Sequence, residues 1–370
     1  MYIKSLKLQN FRNYADESFA FDPAVNLICG ENGQGKTNLL EAAAACSTMR
    51  LFRTAQKKEG LRFGENHAFI FADFAAQERD ISLELRFSRT KAMEIYKNGV
   101  RQKRQSDAQG LLKTVLFCPE DLMLVRAGAA ARRRFLDTAL CQMRPNYARY
   151  LEEYNRLHEH KTRILRDSEE KPSLLSMWED FSLRMAHFGA QIIRYRAYYC
   201  RKLLKAAAAV YADIAPHEVL SGVYKTVSSV TDPFADARTI EKQLIDHMFS
   251  HKTAEIAAKS CLSGPHKDDL ELLLDGRSAA SFGSQGQVRT CTLSLKLAER
   301  ELFFDEDGEY PVLLLDDVLS ELDRRRQDFV LNRISAGQVM ITCCEDGISE
   351  KLRAGAVFHI QNGEKSAETH

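Results

Sequence analysis

The strongest chemical signal is a glycine-rich run at residues 30–37. It consists of Gly30, Glu31, Asn32, Gly33, Gln34, Gly35, Lys36 and Thr37, and it satisfies the pattern GxxxxGK[ST]. In this pattern glycine backbone N–H groups wrap phosphates, lysine neutralises terminal phosphate charge and threonine reaches Mg²⁺. The run therefore predicts a site for ATP and Mg²⁺, with Lys36 as a catalytic cation and Thr37 as a metal ligand. The alternative is a glycine turn that only caps a helix.

A second signal is an apolar run, residues 311–315, that ends in Asp316 and Asp317. A buried parallel strand has this continuous apolar pattern, and carboxylates at its end can hold Mg²⁺ and orient an attacking water. We expect Asp316 to be the Mg²⁺ ligand and Asp317 to polarise the water, and both join Lys36 in the candidate catalytic set. The alternative is a core strand followed by an acidic turn.

A third signal is the Gly- and Ser-rich segment 281–289, which opens a helical run before Asp316. Its residues Ser284, Gln285, Gly286 and Gln287 are predicted to form a second phosphate-binding loop for a nucleotide held mainly by another subunit. That role requires a homodimer formed with ATP. The alternative is a loop that supplies only a helix N-cap.

The elements needed to position these motifs are visible along the chain. A short strand at 25–29 breaks at Gly30 and a helix follows from Lys36, which is the strand, loop and helix order that a phosphate loop needs. Strand-like runs fill 68–100, helical segments cover 147–166 and 174–215, and strand signals return at 270–274. We predict an α/β head from residues 1–125 and 259–370, with an inserted, mainly helical lobe at 126–258.

Composition adds limits on the kind of partner. The net charge is +1, so an affinity for nucleic acid must come from a local patch. Between residues 126 and 205 there are 17 Lys and Arg against nine Asp and Glu, and Arg132, Arg133 and Arg134 are candidate DNA contacts or else a solvated helix face. The nine cysteines lack metal-ligand spacing, and no membrane span or signal peptide is evident. We expect a cytoplasmic protein with no membrane partner.

The order of these motifs resembles that of ABC ATPases. Residues 284–287 look like the core of the ABC signature, and residues 320–323 look like the D-loop. Within that superfamily the chain is similar to the RecF family. The segments that carry this similarity are 8–14 (LQNFRNY), 52–54 (FRT), 117–122 (FCPEDL), 132–137 (RRRFLD), 264–269 (GPHKDD) and 284–290 (SQGQVRT).

The resemblance implies an ABC-type, SMC-like ATPase head of recombinational repair and replication, built from a mixed sheet and an antiparallel layer. It further implies an ATP-dependent dimer that binds DNA at gaps and single-strand/double-strand junctions and supports recombinase loading with RecO and RecR. A weak, DNA-dependent ATPase activity is expected from the same resemblance. Two departures from the ABC pattern predict that hydrolysis is slow: Asp317 stands for the usual glutamate, and Thr342 for the switch histidine. No Gln-loop residue is assigned near Cys118. Arg12 and Arg53 can reach nucleotide or be solvated, and His266 is expected to be structural.

Three other classes of protein share part of the pattern. A P-loop kinase needs no signature loop or D-loop, and a transporter ATPase usually has a short insert between its phosphate loop and its acidic strand. An SMC- or Rad50-like head is the nearest alternative. Such heads carry long heptad arms, whereas the helical runs here are too short and interrupted for a long coiled coil.

Overall fold

The computed structural model describes residues 1–54, 56–227, 229–343 and 355–365. It divides into two compact units. The first, called the head unit, comprises Met1–Met123 and Arg289–His370. The second, called the insert unit, comprises Leu124–Val288. The insert unit begins after residue 123, within two residues of the expected boundary at 125. It ends at residue 288, thirty residues beyond the expected boundary at 258.

The regular elements are as follows. The strands are β1 (Tyr2–Phe11), β2 (Tyr14–Ala20), β3 (Val25–Cys29), β4 (His67–Ala76), β5 (Arg79–Ser88), β6 (Glu94–Lys97), β7 (Val100–Arg101), β8 (Thr114–Phe117), β9 (Leu220–Lys225), β10 (Asp269–Leu274), β11 (Arg277–Ser278), β12 (Val312–Leu315), β13 (Val339–Cys343), β14 (Ala356–Gln361) and β15 (Glu364–Lys365). The α-helices are α1 (Lys36–Thr48), α2 (Ala129–Met143), α3 (Pro145–Asp167), α4 (Trp178–Ile214), α5 (Ala237–Ser250), α6 (Lys252–Ala258), α7 (Ala279–Phe282), α8 (Gln285–Asp307) and α9 (Arg324–Arg333).

The head unit contains two six-stranded sheets. One is antiparallel, in the order β2-β1-β4-β5-β6-β7, and the other has the order β15-β14-β3-β13-β12-β8. In the second sheet every pairing is parallel except that of β14 with β15. Strands β12 and β13 are buried throughout, as expected for parallel strands covered on both faces. The predicted mixed sheet and antiparallel layer are both present.

The parallel sheet brings the phosphate loop and the acidic strand to one edge. Strand β13 lies between β3 and β12, and Gly30 and Asp316 follow the carboxyl ends of β3 and β12. Helix α1 begins directly after the loop, and its run Ala42–Ala45 is buried in the core of the head unit. Four consecutive alanines carry little side-chain volume, so this helix can approach its neighbours closely.

The insert unit combines helices α2 to α7 with a three-stranded sheet of order β11-β10-β9. Strand β9 was not predicted. It pairs with β10 along all six of its residues, so the segment after 258 folds with the insert unit rather than the head. The predicted helix at 147–166 is confirmed by α3, and the one at 174–215 by a 3₁₀ turn at Pro172–Met177 followed by α4. Among the described helices, none is both long and apolar enough to cross a membrane.

Candidate nucleotide-binding site

The glycine-rich run forms a tight loop between β3 and α1. Gly30, Gly33 and Gly35 have φ of 148°, 82° and 122°, in the region that favours glycine. A Cβ on Gly35 would lie 2.7 Å from Asn13 Nδ2, and the Asn13 amide itself donates to Gln34 O over 2.8 Å. Asn13, in the turn between β1 and β2, thus holds the loop conformation from outside. Asn13 belongs to the LQNFRNY segment.

Lys36 lies inside this loop. It is the first residue of α1 and its side chain is 6% exposed. Its Nζ donates to the carbonyl oxygens of Gly30 and, over 3.0 Å, of Glu31. The ammonium is therefore held at the helix N-terminus, where the helix dipole also favours an anion. Loop, cation and helix end together form a cradle suited to phosphate.

Asp316 lies at the edge of the sheet beside the loop and is 4% exposed. Thr37 Oγ1 donates to its Oδ1 over 2.9 Å, although the two residues are 279 positions apart. Thr342, on the intervening strand β13, donates to the same oxygen over 3.0 Å. Burial raises the pKa of Asp316 above its usual range, and the two hydroxyl hydrogen bonds oppose that shift. The structure therefore brings the two predicted metal ligands together.

Asp317 adopts a left-handed backbone conformation, with φ of 51°. Its N–H donates to Thr342 Oγ1 over 2.8 Å, and Ser320 Oγ donates to its Oδ1 over 3.1 Å. Thr342 thus bonds both acidic residues, a role that its place in the sequence did not reveal. The resemblance to ABC ATPases indicates only that Thr342 stands in place of the switch histidine.

The donor set at this edge fits Mg²⁺. A threonine hydroxyl and a carboxylate are hard oxygen ligands, and Mg²⁺ typically takes one or two protein ligands and completes its shell with phosphate oxygens and water. Elsewhere in the described ranges, no group of three or more His, Cys, Asp and Glu side chains could hold a metal ion. Thr37 and Asp316 would hold the ion, which would supply positive charge next to bound phosphates.

Arg12 and Arg53 are not simply solvated. Both contact Glu41, a fully buried carboxylate on α1. Arg12 Nε lies 2.7 Å and Arg53 NH2 3.2 Å from Glu41 Oε2, and Arg53 also bonds Asn38. Two guanidinium groups therefore share one buried carboxylate of α1. A contact of either arginine with nucleotide remains a prediction.

The signature-like loop forms a capping box at the start of α8. Gln287 N donates to Ser284 Oγ over 3.2 Å, and Ser284 N donates to Gln287 Oε1 over 2.7 Å, which is the reciprocal pattern of that motif. Ser284 and Gln285 are exposed and Gly286 is half-buried. The helix-cap alternative is therefore present in the structure, and the exposed helix end that it creates also suits an incoming phosphate.

The D-loop-like segment is tied to the first turns of α8. Arg289 NH1 donates to Glu321 O over 2.6 Å, and Arg326 Nε donates to Thr290 Oγ1 over 2.9 Å. Asp323 caps α9 by accepting from Arg326 N. These contacts fix Ser320 to Asp323 relative to the helix that follows the signature-like loop.

The turn at Cys118 lies beside the acidic edge. Strand β8 pairs with β12, and Asp316 N donates to Phe117 O over 2.9 Å. Asp121, in the 3₁₀ turn that follows, accepts from Cys118 N and forms an ion pair of 3.3 Å with Lys296 of α8. No residue of this turn is assigned the role of a Gln-loop.

The three candidate DNA-binding arginines differ in their surroundings. Arg132 is committed to Asp269, with Nε 2.7 Å and NH2 2.8 Å from its two carboxylate oxygens. Arg133 NH1 donates to Asp268 O over 2.6 Å. Arg134 is exposed. The sequence suggested that the three arginines are equivalent. Of the three, only Arg134 presents its side chain to solvent without such an intramolecular contact.

The GPHKDD segment organises the insert unit. Asp268 is fully buried and lies 3.6 Å from Arg196 NH1, and Tyr224 donates to it. His266 Nδ1 lies 2.7 Å from Tyr154 OH, and its Nε2 lies 3.0 Å from Cys261 O. Burial lowers the pKa of His266 to about 3, so it is neutral near pH 7. These contacts agree with a structural His266.

The head unit, with its phosphate cradle and adjacent acidic edge, defines a P-loop ATPase head. The family model for the RecF/RecN/SMC N-terminal domain matches residues 2–366. The DNA replication and repair protein RecF of Clostridium tetani is 35% identical over 98% of this chain and 99% of its own length, and that of Bacillus cytotoxicus is 37% identical over 100% and 99%. A solved structure of the recombination mediator protein RecF with ATP in the RecFOR pathway has a TM-score of 0.91 at 31% identity, covering 99% of this chain and 98% of that one. The chain belongs to the RecF family.

Proposed function

We propose that this protein is an ATP-dependent DNA-binding protein of recombinational repair and replication, in which bound ATP controls dimerisation and DNA binding. The observation that carries the proposal is the 2.9 Å contact between Thr37 and Asp316 beside the cradle that holds Lys36. The match to RecF solved with ATP supports ATP as the nucleotide.

In this proposal each residue of the cradle has a separate task. Backbone N–H groups of residues 30–37 bind phosphate oxygens, Lys36 neutralises the terminal phosphate, and Thr37 with Asp316 holds Mg²⁺. Asp317 polarises the attacking water. Its carboxylate is one methylene shorter than the glutamate usual in ABC ATPases and is engaged by Ser320, so we expect slow turnover.

The signature-like loop supplies the second half of the nucleotide site. Ser284, Gln285, Gly286 and Gln287 bind the phosphates of ATP held in the cradle of a second copy, through the exposed N-terminus of α8. Because each site then needs both copies, ATP binding and dimerisation are coupled. Within the head unit, Arg289 and Thr290 of the same helix are hydrogen-bonded to the D-loop-like segment and to Arg326.

DNA at single-strand gaps and junctions is the proposed partner, together with RecO and RecR in recombinase loading. Support comes from relatives named as DNA replication and repair proteins and from a neighbour assigned to the RecFOR pathway. Without nucleotide, we expect the chain to bind DNA only weakly and non-specifically. The proposed setting is the cytoplasm.

The proposal is tested by fluorescence anisotropy of labelled gapped DNA titrated with protein, with and without ATP and Mg²⁺. We expect tight binding only with nucleotide, and weaker binding to a blunt duplex of equal length. Equal affinity with and without ATP would contradict the coupling. A P-loop kinase would show no such dependence on oligomeric state or DNA.

A further inference from the structure

An exposed phenylalanine lies at the tip of a turn in the head unit. Phe63 is 102% exposed, the highest value among the large hydrophobic residues of the described chain. It belongs to the turn from Arg62 to Glu65, in which Glu65 N donates to Arg62 O over 3.0 Å and Gly64 has φ of 87°. That geometry fits a type II turn, with Gly64 at the position that requires positive φ. The ring contributes nothing to a core and is fully available to a partner.

The turn is anchored on both sides. Arg62 N donates to Asn10 O over 2.8 Å, which fixes the turn to β1. Directly after β5, Arg89 N donates to Asn66 O over 3.1 Å and Arg89 NH2 donates to Glu65 O over 3.2 Å. The ring is therefore presented from a fixed backbone, which lowers the ordering entropy that a contact must overcome.

The segments that form and anchor the turn carry an excess of positive charge. Segments 50–66 and 88–93 hold seven Lys and Arg against two Asp and Glu, in a chain whose net charge is only +1. Arg53 is tied to Glu41. The other six cations form no ion pair within the described part of the chain. They are Arg50, Lys57, Lys58, Arg62, Arg89 and Lys91. The excess of cations over carboxylates in these segments makes them locally basic.

We propose that the Phe63 turn is a contact for single-stranded DNA, in which the ring stacks on an unpaired base and the surrounding cations bind backbone phosphates. Aromatic rings with basic neighbours are the usual platform for single strands, because every base has a π-face. A duplex conceals its base faces in the stack, whereas the unpaired strand of a gap exposes them. This inference rests on the proposed function, and it gives the gap preference a physical basis.

The test measures affinity for gapped DNA in the presence of ATP by anisotropy, for wild type and three variants. Phe63→Ala is expected to weaken binding about 5- to 150-fold, the range that one stacked base contributes. Phe63→Trp is expected to keep wild-type affinity. Phe63→Leu keeps apolar area but lacks a flat π-face, so it should behave like Phe63→Ala. The ring supports no core contact, so thermal unfolding should be unchanged in all three.

A second substrate separates base stacking from phosphate contacts. Gapped DNA whose single-stranded nucleotides lack bases keeps every phosphate, and on it wild type and Phe63→Ala should bind equally. The tryptophan of Phe63→Trp should be quenched by the gap with bases but not by the gap without them. Arg62→Ala and Lys91→Ala should each reduce the salt slope by about one on both substrates.

Three outcomes would overturn the assignment: equal affinity of Phe63→Ala and wild type, wild-type affinity of Phe63→Leu, or an equal loss on the gap without bases. Unchanged DNA affinity combined with lost binding of purified RecR by Phe63→Ala would identify a protein-docking turn instead. A wild type that binds no DNA with ATP would overturn the proposed function as well, so the two failures are distinguishable.

Discussion

Replacing Ser284 separates the two roles that its position allows, because the same hydroxyl caps α8 and is proposed to meet ATP of a second copy. Ser284→Asp keeps an N-cap acceptor and adds a negative charge that the helix N-terminus favours. Ser284→Ala removes the acceptor without adding charge. Ser284→Ala should therefore mainly lower folding stability, whereas Ser284→Asp should mainly weaken ATP-driven dimerisation.

The expected magnitudes differ widely. Loss of the cap bond from Gln287 N in Ser284→Ala should cost about 1 kcal/mol of stability. In Ser284→Asp, a carboxylate about 4 Å from a phosphate charge, at an effective dielectric constant of 20, is repelled by about 4 kcal/mol. That repulsion corresponds to about a thousandfold weaker dimerisation for each site, and a two-fold symmetric dimer contains the contact twice.

The assay combines light scattering for mass, nucleotide titration for affinity and thermal unfolding for stability. Ser284→Asp should bind ATP as a monomer with wild-type affinity, unfold at or above the wild-type midpoint and fail to dimerise. Ser284→Ala should unfold earlier and still dimerise more tightly than Ser284→Asp. Dimerisation of Ser284→Asp at the wild-type ATP concentration would refute the role in trans and leave Ser284 as a helix cap.

Three further predictions concern the cradle and the basic run. Lys36→Ala should remove tight ATP binding, because the loop loses its buried ammonium, and an unchanged affinity for a fluorescent nucleotide would contradict the phosphate-loop assignment. Asp317→Asn should keep ATP binding and slow hydrolysis, since asparagine tolerates the same positive φ but polarises water poorly; unaltered turnover would place the base elsewhere. Arg134→Glu should lower the salt slope of DNA binding by about one or more at unchanged stability. Arg132→Glu should instead destabilise the protein, because the ion pair with Asp269 is lost. A salt slope of Arg134→Glu identical to that of wild type would show that Arg134 is a solvated side chain and not a DNA contact.

Local patterns explain why the cradle was predictable. A phosphate loop needs a strand, glycines with positive φ and a helix start within a dozen residues, and residues 25–37 contain all three in order. Asp316 was predictable because an apolar run ending in an acid indicates a parallel strand edge. Its pairing with Thr37 follows once both elements are placed in one parallel sheet.

Long-range partners were not predictable in this way. Arg132 belongs to a run of three arginines that indicates a basic face, yet Asp269 lies 137 residues away and binds it. Thr342 was marked only as a missing histidine, and its bonds to the acidic edge depend on β13 lying between β3 and β12. Strand β9 was missed because a six-residue strand after a 37-residue helix gains its stability from pairing with β10, which no local periodicity records.

Sedimentation of the wild-type chain shows whether ATP joins two copies and thereby controls DNA binding. The monomer mass is 42.0 kDa. We expect this mass without nucleotide, a doubled mass with ATP and Mg²⁺, and a further shift of the dimer alone when gapped DNA is added. A monomer mass with ATP, or DNA bound equally by monomers without it, would show that ATP does not couple dimerisation to DNA binding.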